Sequence, residues 1–170
     1  VYTKDAIRFS LNLAEQAMLQ SLAGIEDKPL TFPTEEGGCH PLWVLGHITF
    51  VEGLAHQMLA GGENVAAEWA GLFAPETTPT NDAAVYPSIE KVRARYLHLR
   101  AMNLQFLDSL SEADLDKATP WQPKGVEEHF ATYGKALLTL ALHQTMHRSH
   151  ITDAIRSAGR AVPAAVGAEV

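Results

Sequence analysis

The sequence holds a single cysteine, Cys39, in 170 residues, so no internal disulfide is available to it. Such a count suits a reducing cytosol. Basic side chains are also scarce: thirteen Lys and Arg stand against twenty Asp and Glu, a net charge of −7. Nucleic-acid binding draws its affinity from basic groups set against phosphates, and docking on an anionic membrane uses the same charge. Neither partner is expected. No apolar run approaches the ~20 residues that a membrane-spanning helix needs. The opening "VYTKDAIRFSLNLAEQ" carries acidic side chains where a signal peptide has an unbroken apolar stretch. A cytoplasmic protein is expected. Strand-type alternation, internal repeats and low-complexity tracts are missing as well.

What is present is helical periodicity. Hydrophobic residues make up 46% of the chain, enough for one domain over residues 1–170 to bury a core without staples. Ile7, Leu11, Ala14, Met18 and Leu22 recur by threes and fours and predict a first helix over 3–23, stopping at Gly24. The Pro- and Gly-rich "EDKPLTFPTEEGG" is a loop. A second helix over 41–60 starts at Pro41, where a missing N–H costs nothing, and closes at Gly61-Gly62. Its stripe is Trp43, His47, Phe50, Leu54 and Met58. The connection from Gly61 to Tyr86 is long for a compact domain, with room for a short helix in "NVAAEWAGLF". A third helix over 87–110 turns Val92, Tyr96, Leu99, Phe106 and Leu110 inward. After "SEADLDKATPWQPKG", a fourth covers roughly 128–158, ends at Gly159, and has Arg156 and Arg160 where cations are favoured. The architecture these patterns predict is all-α, a four-helix bundle with a long connection between helices two and three. Such a connection leaves simple up-down winding open.

The last helix contains "ALHQTMHRSHI", in which His143, His147 and His150 fall within about 60° of one another on one helical face. The stripe there reads Leu140, His143, His147, Ile151, Ala154, Ala158, and His47 takes a similar slot on helix two. A buried imidazole costs free energy unless it finds a partner, and a shared metal ion would serve all of them. Two histidines at i and i+4 suit one ion, and three protein ligands leave a coordination position open for chemistry. Spacing alone leaves two readings, a metal site or ordinary core histidines. His150 lies a turn beyond His147 and fits a supporting place better than direct ligation. His40, His98 and His129 have no comparable arrangement, and His56 stands only somewhat closer to the site.

"WVLGHI" at Trp43–Ile48 together with "HQTMHRSHI" at His143–Ile151 resembles the DinB/YfiT-like superfamily of metalloenzymes. Members are small four-helix bundles with an unusual connection. They carry a Gly-His pair on the second helix and two histidines, four apart, on the last. The resemblance implies that His47, His143 and His147 are the metal ligands, with Arg148 and Ile151 on matching positions. Ser149 and His150 depart from the frequent glycine and glutamine, and Met146 from a frequent histidine; no presumed ligand is lost. The family's name refers to DNA-damage induction and implies no contact with DNA.

The resemblance further implies a divalent transition metal, zinc or nickel first, and a transferase activity. That activity joins a low-molecular-weight thiol such as bacillithiol or mycothiol to a small-molecule electrophile, within a homodimer. A cation at an open site would stabilise a thiolate and hold it beside its target. The alternatives are a metal-dependent hydrolase working through bound water, and a non-enzymatic metal-stabilised binding or dimerisation module. Hydrolysis asks for a base. Glu52 lies about 140° from His47 on helix two and points elsewhere, and no glutamate sits inside the His143–His147 pair. Tyr96 and Asn103 are inward polar residues that either line a pocket or bond locally. Cys39, beside His40 ahead of a helix N-terminus, is read as an ordinary loop cysteine.

Overall fold

A computed structural model describes residues 2–26, 30–31 and 39–162. The described chain is all-helical. Its elements are α1 (Thr3–Ala23), α2 (Pro41–Ala60), the four-residue α3 (Ala70–Phe73), α4 (Ile89–Ser109) and α5 (Tyr133–Ser157), with short 3-10 turns between them. The only bridge among the described residues joins Ala118 to Thr132 in antiparallel fashion. The loop after α1 and the tail beyond residue 162 fall largely outside the described residues.

Local chemistry accounts for the boundaries. Pro41 occupies the first turn of α2, and Gly61, with φ of +80°, ends that helix in a backbone shape a side chain would strain. Ser88 and Thr132 cap α4 and α5 by accepting from the backbone N–H groups of Lys91 and Lys135. The cap of α2 is a histidine. His40 Nδ1 accepts from the Trp43 N–H at 3.0 Å, and its Nε2 donates to the Thr80 carbonyl at 3.0 Å. One neutral tautomer thus serves both bonds, which is a structural role for a residue to which spacing assigned none.

The four long helices pair in an order that differs from their order in sequence. α1 packs on α5, α2 packs on α4 and on α5, and α1 meets α4 only lightly. Consecutive α1 and α2 therefore lie diagonally opposite, so winding is not simple up-and-down. Ile7, Leu11, Ala14, Met18 and Leu22 of α1 are all buried, each large side chain contributing about 1.5–3 kcal/mol. α2 is buried on every face through its first thirteen residues, because α4, α5 and α3 surround it. On α4 the inward set is Val92, Tyr96, Leu99, Arg100, Asn103 and Leu107; Phe106 and Leu110 are only half-buried.

Arg100 is the centre of this arrangement. Its guanidinium donates to the Leu11 carbonyl of α1 at 3.0 Å, to Glu52 Oε1 of α2 at 2.5 Å, and to Gln144 Oε1 of α5. Glu52 also accepts from Asn103 Nδ2 at 2.7 Å, and His56 Nδ1 donates to Asn103 Oδ1 at 3.0 Å. Gln144 Nε2 donates to the Tyr96 hydroxyl at 2.7 Å and to the Ala14 carbonyl at 3.2 Å. One polar cluster joins all four long helices. A buried pair so fully bonded fixes register more than it adds stability, and losing one partner leaves a stranded charge.

Candidate metal centre

His47, His143 and His147 come together between α2 and α5. Each offers a nitrogen, and the three nitrogens lie within 4.8 Å of one another. Ring centroids are 5.2 Å apart for His47 and His143, 4.7 Å for His47 and His147, and 4.5 Å for His143 and His147. The i,i+4 pair projects from one side of α5, as spacing predicts. His143 and His147 are half-buried, while the neighbouring Gln144 takes the core-facing slot. The cluster thus sits at the edge of the hydrophobic core.

His47 is held by three features of the sequence around it. Its ring stacks on Trp43, centroids 4.8 Å apart and planes within 6°. Its Nδ1 donates to the Phe73 carbonyl at 2.8 Å, which leaves Nε2 with a free lone pair. Gly46 makes that bond possible: a Cβ there would fall 2.2 Å from the Phe73 ring. The adjacent Trp43 Nε1 donates to the Leu72 carbonyl at 2.9 Å and to Thr77 Oγ1 at 3.2 Å. Donors from α2 thereby satisfy carbonyls at the C-terminal end of α3 that have no partner inside the helix. The "WVLGHI" stretch is a clamp for α3 as well as a source of one imidazole.

Burial disfavours the charged form of all three histidines. It pulls His47 below its usual value against the opposing effect of the Phe73 bond. Burial, then the His47 charge, takes His143 down to about 4. His147 falls to about 3 through burial and the charges of His143, His47 and His150. Neutral imidazoles are what a metal requires. His147 Nδ1 is buried without a hydrogen-bond partner. That orphan nitrogen and three neutral donors in one cluster fit a divalent cation and give no reason for water-free burial otherwise.

Other sequence candidates are placed elsewhere. The His150 ring stands 5.7 Å from that of His147 and lies outside the ligand cluster. Glu52, Tyr96, Asn103 and His56 belong to the Arg100 network. Burial pushes the Cys39 thiol up, opposite to an activated nucleophile. The Phe73 carbonyl and the role of His129 escaped sequence reading. His129 lines a cavity of about 530 Å³ whose wall also includes His47 and His143.

An all-helical chain that gathers three histidines from two long helices defines a class, helical proteins with a histidine cluster able to hold a metal. Within that class the chain belongs to the DinB superfamily, whose family model matches residues 10–151. No curated protein matches it. Among the described residues, no helix is long and apolar enough to cross a membrane.

Proposed function

We propose that the protein is a metal-dependent enzyme built as a four-helix bundle. Its ligands are His47, His143 and His147, and its reaction is the transfer of a low-molecular-weight thiol to a small electrophile. The observation that carries this reading is the cluster of three nitrogens within 4.8 Å, open to a cavity. When bound there, a divalent cation, zinc or nickel, lowers the pKa of a thiol or water ligand and so supplies a nucleophile near neutral pH.

The chain's own residues do the rest. The Phe73 carbonyl and the Trp43 ring fix the orientation of His47, and the helical spacing of α5 fixes the other two rings. Low proton affinity keeps His143 and His147 unprotonated as donors at neutral pH. Apolar walls restrict water and hold a second reactant nearby, which makes an encounter effectively intramolecular. In the overall reaction a carbon–sulfur bond forms, the thiol proton is released, and the electrophile opens or loses its leaving group. Glu52 favours this over hydrolysis, since both its oxygens already accept from Arg100 and Asn103. The exposed apolar stripe Leu138, Leu142 and Met146 of α5 supports pairing with a second copy.

The test is elemental analysis of untagged protein purified without a metal column, followed by zinc reconstitution. About one equivalent per chain is expected. His47→Ala, His143→Ala and His147→Ala each abolish it, and His98→Ala does not. Stoichiometric binding retained in any of the three variants refutes that residue's assignment.

A further inference from the structure

The cavity beside the histidines is graded from a buried floor to an exposed rim. Val51, Leu140 and His47 are almost wholly buried, whereas Met146, Val126 and His129 are exposed. α2 and α5 supply two sides, and the segment carrying Pro123 to Phe130 supplies a third. No Asp, Glu, Lys or Arg side chain lines it among the described residues. Apart from the ligand histidines, its only polar side chains are His129 and Thr139. The Thr139 hydroxyl already donates to the His129 carbonyl at 2.9 Å.

This lining selects by charge. A carboxylate, phosphate or ammonium buried against Val51, Leu54 and Leu140 would lose water with nothing to replace it, at a cost of several kcal/mol. An uncharged apolar body loses nothing and gains burial in proportion to its area. A volume of about 530 Å³ lies within the range of pockets that enclose a drug-sized molecule. Thiols that carry several charged or sugar groups do not suit this wall. The electrophile does.

We infer that this cavity is the binding site for an uncharged, apolar electrophile of aromatic or similar bulk. Its reactive atom is directed to the His47 and His143 wall, and a single polar substituent meets the His129 imidazole. This rests on the thiol-transfer reading of the same site and assigns which of the two reactants the cavity takes. The polar thiol reaches the histidines from outside this wall.

The assay uses two fluorescent probes of the same shape on the full chain, with and without zinc. These are neutral N-phenyl-1-naphthylamine and its anionic relative 8-anilinonaphthalene-1-sulfonate. Saturable binding of one neutral probe per chain is expected, at least tenfold tighter than the anion in zinc-free protein. Leu54→Trp fills the floor and weakens the neutral probe at least tenfold, while zinc stoichiometry stays unchanged. Met146→Lys places a cation on the exposed rim, where folding is not at stake, and shifts the ratio of affinities at least tenfold towards the anion. Equal binding of the two probes overturns the inference, as does an unchanged ratio in Met146→Lys. Zinc binding without probe binding removes the cavity assignment alone. Probe binding without zinc removes the metal reading and leaves the charge selection of the cavity standing.

Discussion

Gly46→Ala tests whether the glycine before His47 is there to seat α3. The new Cβ would meet three atoms of the Phe73 ring at 2.2, 2.4 and 2.4 Å, where ordinary contact begins at 3.4 Å. The ring must retreat by about an ångström, and it has nowhere to go. Phe73 is fully buried, with Trp69 edge-on at 5.8 Å and Tyr86 stacked at 5.5 Å. Forcing one methyl into such packing costs about 1–3 kcal/mol. Phe73 cannot move without disturbing its carbonyl, so the 2.8 Å bond from His47 is weakened too, at about 0.5–1.5 kcal/mol. Together these give a loss of about 2–4 kcal/mol in urea denaturation of the metal-free protein. Loss of the partner that orients a ligand histidine typically lowers metal affinity by 10–100-fold, measurable by competition with a chelating dye. Adding Phe73→Leu makes room for the methyl, so the double variant should be more stable than the sum of singles by at least ~1 kcal/mol. A Gly46→Ala protein within 0.5 kcal/mol of wild type, with unchanged zinc affinity, would refute the steric account.

Three further outcomes follow from the same geometry. Glu52→Ala strands the Arg100 guanidinium in the core and should destabilise by about 3–5 kcal/mol, lowering the Tm by roughly 6–20 °C in calorimetry. His40→Ala removes the α2 cap and the Thr80 bond and should cost about 1 kcal/mol or more, most of it recovered in His40→Asn. Burial lowers the His40 pKa, so the stability it contributes is fully present above pH ~6.5, where both folded and unfolded forms are neutral. Below that the unfolded chain takes up protons first, and stability falls until the folded His40 titrates. His47, His143 and His147 shift the same way, so urea midpoints of metal-free protein should drop steeply from pH 6.5 towards 4, and less steeply in His40→Asn.

The long helices were legible because each carries an apolar repeat and a boundary residue that acts locally. Their bounds match the periodicity of α1 and α2 to the residue and shift by a few residues in α4 and α5. His47, His143 and His147 were legible because an i,i+4 pair must share a face whatever surrounds it. Which α5 residue enters the core was harder. His143 and Gln144 differ by one helical step, and only the Arg100 and Tyr96 groups opposite decide that the amide goes in. Phe73 could not have been assigned, since its contribution is a carbonyl that any residue type would offer. His129 stayed hidden because its place in the cavity wall depends on how the 123–130 segment folds over α5, and no periodicity encodes that.

The hold on His47 has an evolutionary consequence. Its partner is written in the main chain, so the bond from Nδ1 is indifferent to which side chain stands at position 73, provided the space beside Gly46 is respected. It is sensitive instead to length. Removing or adding one residue between Gly62 and Trp69 would rotate α3 by about 100° and swing the carbonyl away. Descendants of this chain can therefore drift in the composition of that connection while its residue count stays fixed, and a library of deletions there should be far less tolerated than a library of substitutions.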